Sequence, residues 1–291
     1  MLRMLIGAAA LVAASTPAAA QVHQPSTRWQ VDFGQTGCIA LRKFGEGAGS
    51  FHLVVKPNLI GDRFELALVE DGWRGDTQSR SGKVWFDGVE QEMPALRYAD
   101  RENDRVVTSW FADDLSDLSG VERLDVQFAG QRQGLALTQT ENVVEALENC
   151  RVELGNYYNF REGALKEGPK GGSNILHARN YPKYLMLDEE EAIVRAMLLL
   201  DEEGAVVDCS LLSFAGDAIF LAQSCGIIRE TAQFEPAIGQ DGKPARSVHV
   251  TSKIHWHIVG KRNDALVEEF ELRDAALFGR DDSDEAVTTN L

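Results

Sequence analysis

Between residues 28 and 150, apolar and polar positions alternate in one short run after another: WQVDF (29–33), CIALRKF (38–44), FHLVVKP (51–57), RFELALV (63–69), KVWFDG (83–88), RVVTSWF (105–111), RLDVQFA (123–129) and GLALTQ (134–139). Successive side chains of a strand point to opposite faces, so such runs predict strands with one wet and one buried face. Turn formers such as Glu70-Asp71-Gly72, Phe86-Asp87-Gly88 and Asn103-Asp104 separate them. ADDLSDLSG (112–120) predicts a brief helix. In TENVVEALENC (140–150), Thr140 can cap a helix whose stripe is Val143, Val144 and Leu147.

The pattern changes after Cys150. Residues 151–178 mix Gly, Asn, Pro and Lys without a sustained period, and GPKGGSN reads as an exposed linker. A second unit follows over 179–260. AIVRAMLLLD (192–201) and AVVDCSLLSF (205–214) predict a hairpin around Glu202-Glu203-Gly204, DAIFLAQSCGIIRETAQF (217–234) a helix, and SVHVTSKIHWHI (247–258) a third strand. That order is ββαβ, a small antiparallel sheet with a helix across one face. The tail, 261–291, turns acidic and polar and is expected to be partly disordered. The fold class expected for the chain is α+β.

The third strand carries the candidate chemistry. Its even positions, Val248, Val250, Ile254, Trp256 and Ile258 among them, form a face for the helix. The odd positions, His249, Thr251, Lys253, His255 and His257, then point away from it. His255 and His257 have a spacing that can ligate a metal. Strand one offers Ile193, Arg195, Met197 and Leu199 on that face, which is poor ligand chemistry, so a docking face is the expectation and a metal is not. Met197, Leu199 and Leu212 would leave an apolar patch on the open sheet face, to be covered by the first unit or by a second copy of the chain. With the first strand in the middle, strand 247–258 also keeps one unpaired edge.

Charge and processing signals narrow the setting. A net charge of −16 argues against nucleic acid and anionic lipid as partners. Residues 1–20 read as a secretory signal peptide: Arg3, an apolar stretch from Met4 to Ala14, and Ala18-Ala19-Ala20 before Gln21. That stretch is too short for a span, and no later window is long and apolar enough, so the mature chain should lie free of the membrane in the Gram-negative periplasm. Export makes the cysteines informative. Cys38 opens and Cys150 closes the β-rich unit (21–150), and a bond between them would staple its helix onto an early strand. Nucleophile elbows, zinc-protease helices and phosphate loops are missing from the sequence. Asp188-Glu189-Glu190-Glu191 reads as solvated charge and Asp113-Asp114 as a helix start. His23, His52 and His177 are isolated, and no catalytic residue or cofactor is expected.

Residues 179–260 resemble the C-terminal domain of TonB-type energy transducers. The resemblance is carried by Tyr181-Pro182, Gly204, Gly216, Phe234-x-Pro236-Ala237, Asp241-Gly242-x-Pro244 and Ile254-x-Trp256-x-Ile258. Phe214-Ala215-Gly216 and Phe220-Leu221 depart from the family's Ser-Ser-Gly and Leu-Asp. The resemblance implies that strand and helix pack with Cys209 against Cys225, the second disulfide. It further implies a non-enzymatic protein that binds a periplasmic peptide or protein, such as the periplasm-facing segment of an outer-membrane transporter, by adding it to the sheet edge. A homodimer through that edge is the other arrangement. Eight prolines and a folded unit in place of a spacer argue against force transduction. The alternative is an envelope enzyme or ligand-binding protein with its site in the β-rich unit, which a pocket there lined by convergent polar groups would favour.

Overall fold

The computed structural model describes residues 22–72, 77–101, 103–172, 180–181, 183–258, 263–278 and 287–289. Residues 1–20, expected to be a signal peptide, together with His177, Pro182 and most of the acidic tail, lie outside them. Ten strands form one sheet: β1 (Val22–His23), β2 (Gln30–Gly34), β3 (Gly37–Phe44), β4 (Phe51–Pro57), β5 (Phe64–Asp71), β6 (Gln78–Phe86), β7 (Val89–Asp100), β8 (Arg105–Ala112), β9 (Arg123–Phe128) and β10 (Gln131–Ala136). Their order is β1-β10-β9-β6-β7-β8-β5-β4-β3-β2. The sheet curls until its ends nearly meet. Val22 and His23 pair with β10, while Pro25 bridges to Phe44 and Ser26 donates to the Lys43 carbonyl at 2.9 Å, so one N-terminal segment ties both ends. The Trp29 indole and the Arg42 guanidinium both donate to the Thr138 carbonyl across the same seam.

The period-2 runs bury one face inside this curl. Cys38, Ala40 and Phe44 of β3, Phe51, Leu53 and Val55 of β4, and Leu66, Val84, Trp110 and Val126 share a core. Each large aliphatic or aromatic side chain there contributes about 1.5–3 kcal/mol. Helix α1 (Thr140–Tyr157) lays Val143, Leu147, Cys150 and Leu154 on one end of it, over a 3₁₀ turn at Leu115–Leu118. The helix expected over 140–150 therefore runs seven residues further, to Tyr157. The Cys38–Cys150 bond fastens it to β3. β7 is a strand the period did not show, because Pro94 interrupts it. Pairing with β8 begins only at Ala95, so Pro94 sits beyond the ladder in which its missing N–H would be needed.

The rest of the chain supplies β11 (Leu165–Glu167), β12 (Lys170–Gly171), α2 (Lys183–Leu187), β13 (Ala192–Leu200), β14 (Val206–Gly216), α3 (Ile219–Thr231), β15 (Phe234–Glu235), β16 (Ala237–Gly239), β17 (Pro244–Ala245), β18 (Ser247–Val250), β19 (Ile254–Trp256), α4 (Asp264–Phe278) and β20 (Val287–Thr289). β13 pairs with β14 on one side and with β18 and β19 on the other, and α3 packs on one face, giving a ββαβ unit. Cys209 of β14 is bonded to Cys225 of α3. Gly204 and Gly216 have positive φ, and a Cβ on either would lie 2.2 Å from a backbone oxygen, of Phe234 and of Glu191 respectively. Only glycine fits there. The stretch read as a linker is in part paired, β11 with β16 and β12 with β15.

The two units share their cores. Met197, Leu199 and Leu212, the apolar patch on the face opposite α3, belong to the core inside the curled sheet. Leu96, Tyr98 and Phe111 of the large sheet pack instead on the α3 side, with Phe111 edge-on to Phe214 at 6.4 Å. Lys56 pairs with Asp208 at 3.2 Å, and Arg63 and Asn58 donate to the carbonyls of Leu212 and Leu211. The expected α+β class is corrected by this arrangement: 46% of the structure is strand and 24% helix, so the protein is mostly β. Local periodicity marked the strands singly; that they merge into one ten-stranded curl, with few helices beside it, depends on non-local pairing.

Candidate functional site

The edge run 247–258 was expected to be one strand with its odd residues on one face. It is two short strands joined by a bulge. Met197 pairs with Val250 and Val194 with Ile254, so two residues of β13, Arg195 and Ala196, oppose three, Thr251, Ser252 and Lys253. Thr251 holds the bulge: its N–H donates to the Ala196 carbonyl at 2.9 Å, and its hydroxyl accepts from the Ala196 N–H at 3.0 Å. One extra residue inverts the alternation beyond it. Val248 and Val250 lie opposite Leu199 and Met197 and pack into the core inside the curled sheet. Ile254 and Trp256 face α3, as their parity predicts.

His249 and His255 are separated accordingly. His249 lies opposite Leu198 on the α3 side, its ring 4.8 Å from that of Phe234. His255 lies opposite Ile193 on the other face, toward α4. Among the described residues, no group of three or more His, Cys, Asp and Glu is placed to hold a metal. Lys253 is buried and pairs with Glu271 of α4 at 2.9 Å. Asp113 and Asp114 do not act together: Asp113 pairs with Arg63 at 2.6 Å, and Asp114 accepts from the Ser116 N–H. Of the acidic run, Glu191 turns inward and accepts from the Ile258 N–H at 3.1 Å.

Behind β19 lies an aromatic cluster. The Trp256 indole donates to Ser224 Oγ at 2.9 Å, which donates in turn to the Phe220 carbonyl, and Tyr181 is edge-on to both Phe220 and Trp256. Burial, reinforced by Glu191 and Glu190, pushes the Tyr181 phenol up to about 12. The cluster backs β19 with packed aromatic rings. On its outer side β19 pairs with β20, parallel, matching Ile254, His255 and Trp256 to Val287, Thr288 and Thr289. The chain's own tail thus occupies part of the edge. Neither α4 nor β20 was read from the sequence, although Leu266, Phe270 and Leu277 recur at helical spacing.

Burial lowers the His249 pKa, and burial followed by the neighbouring charges of His257 and Lys253 lowers that of His255, against the pull of Glu271. Below the unfolded value of 6.5, the unfolded chain binds protons that the folded chain resists, so these groups make stability fall as pH drops from there toward their folded values. Thermal melts between pH 7 and about 5 are expected to decline less steeply for His249→Gln/His255→Gln than for the parent. Equal slopes would remove both histidines as the cause.

Compared with family models, curated proteins and solved structures, the chain matches none. Its two disulfides are compatible with export, and no described helix is long and apolar enough to cross a membrane.

Proposed function

We propose that this is a non-enzymatic periplasmic protein whose ββαβ unit, resembling the C-terminal domain of TonB-type transducers, binds an extended peptide by strand addition at the outer edge of β19. The observation that carries this reading is the parallel pairing of β20 on that edge. Three residues of backbone pairing are a short hold, and a longer strand offering more main-chain hydrogen bonds would displace it. The resemblance implies as occupant the periplasm-facing segment of an outer-membrane transporter. The curled sheet packed against the unit replaces the long spacer that force transduction needs, so the protein acts as an adaptor or scavenger of such segments.

The test uses the chain ending at Arg280 and a synthetic peptide of residues 285–291 as probe. The shortened chain is expected to bind the peptide at least about tenfold more tightly than the full chain does, since the latter must first release its own strand. A peptide with proline at Thr288 should lose most of that affinity by removing a backbone donor. Binding by neither chain would sink the proposal. Dimerisation of the shortened chain without peptide binding would assign the edge to a second copy instead.

A further inference from the structure

The curled sheet is plugged at one end by α1 and concave at the other. At that other end the termini of β5 to β10 line a cavity of about 210 Å³ that is open to solvent on one side. We infer that this cavity is a binding site for a neutral sugar ring, a free monosaccharide or the terminal unit of a glycan. The inference does not rest on the peptide reading.

Side-chain chemistry sets the ligand class. Register places Gln78, Arg97, Thr108 and Leu68 in one row across β6, β7, β8 and β5. Arg97 pairs with Glu70 at 3.2 Å, so the two charges in the lining cancel and the cavity has no net charge to offer an ion. Gln78, Gln131 and Gln133 supply three amides, each a planar donor–acceptor pair that can meet two adjacent hydroxyls. Trp110 and Phe128, both buried, form the apolar floor beneath these amides, on which the C–H face of a ring can rest. Trp110 is fixed: its indole N–H donates to the Gln127 carbonyl at 3.1 Å, and it lies so close over β6 that a Cβ on Gly82 would come within 2.6 Å of it. A pocket that needs a glycine in mid-strand to seat a tryptophan is built, since glycine there weakens the strand.

Gln133 is the second observation. Its side-chain oxygen is buried and has no hydrogen-bond partner, although it lines the cavity. A buried acceptor left unmatched costs about 1–3 kcal/mol, and a turn of the Gln133 amide toward the cavity would let a ligand hydroxyl satisfy it. Size settles the rest. The cavity is below the roughly 300–1,000 Å³ of sites for drug-sized ligands, so it takes one ring and not a lipid chain or an oligosaccharide.

Saturation-transfer NMR on the full chain tests the inference, with glucose, galactose and N-acetylglucosamine as neutral probes and glucuronate and glucosamine as charged ones. At least one neutral sugar should receive saturation, and the charged ones little. Gln133→Leu should weaken that sugar's binding by about tenfold or more while thermal melting stays near the parent value, because no protein partner is lost. If that variant melts early, Gln78→Leu at the strand end serves in its place, with the same expected loss. No transfer to any neutral sugar, preference for the charged probes, or binding unchanged in the folded variants would each overturn the assignment.

Discussion

Breaking the Cys38–Cys150 bond is expected to be the most damaging covalent change, costing about 5 kcal/mol. The two cysteines lie 112 positions apart, and in the chain-entropy account a longer closed loop restricts the unfolded chain more. Cys209–Cys225, at a separation of 16, should be worth only about 3 kcal/mol. The larger bond also has a structural task. Through it β3 holds α1 across the end of the curled sheet, where Val143, Leu147 and Leu154 complete the core and the Tyr158 hydroxyl donates to the Gln35 carbonyl at 2.8 Å. Burial pushes that phenol up to about 12, so it stays a donor well above neutral pH. Urea unfolding of Cys38→Ala/Cys150→Ala and Cys209→Ala/Cys225→Ala should therefore rank in that order. The first variant should also bind a hydrophobic dye through its exposed core. A smaller loss for the first pair than for the second would mean that α1 holds the curled sheet without the bond.

That bond could be read from chain organisation, because Cys38 and Cys150 bracket the run of alternating segments. The strands themselves were legible wherever the period was clean. What alternation could not show is which strands pair. β6 lies between β7 and β9, and β5 beside β8, although nothing local in 64–71 or 105–112 selects the other. Such pairings are decided by packing across the whole curl. The cavity was illegible for the same reason, since Gln78, Arg97 and Gln133 are 55 residues apart at the extremes and meet only once the sheet is assembled.

The ββαβ unit was more legible, because its punctuation is steric. Gly204 and Gly216 stand where no other residue fits, and the Trp256, Phe220 and Tyr181 cluster follows from their placement on strand, helix and approach. The bulge at Thr251–Lys253 was not legible. Parity holds only while the register does, and one extra residue sends His249 and His255 to opposite faces. The sequence pattern of 247–258 is compatible with an unbroken strand; Thr251 selects the bulge through hydrogen bonds to Ala196, a residue 55 positions away.

Asp274→Ala is expected to cost about 3–5 kcal/mol, the second large effect. Asp274 of α4 and Arg195 of β13 form an ion pair at 3.3 Å with both side chains over nine-tenths buried. Ser213 donates its hydroxyl to the same carboxylate, and the Arg195 guanidinium lies over the Phe278 ring at 5.1 Å. Removing the acid takes the carboxylate away from both the Arg195 guanidinium and the Ser213 hydroxyl in a site closed to water, which is what makes such truncations expensive. Arg195→Met/Asp274→Leu removes both charges and should recover most of the loss, because a buried pair contributes little net stability over apolar groups of similar volume. Urea midpoints distinguish the outcomes, and an Asp274→Ala loss below about 1 kcal/mol would show that α4 is not anchored by this pair. The same variant links stability to the proposed function. α4 leads toward β20, and its Glu271 holds Lys253 beside the bulge. Loosening α4 should free the tail strand, so full-length Asp274→Ala is expected to bind the 285–291 peptide more tightly than the full-length parent does. If the helix loosens, as amide exchange would show, and peptide affinity stays at the parent level, β20 does not compete for the β19 edge.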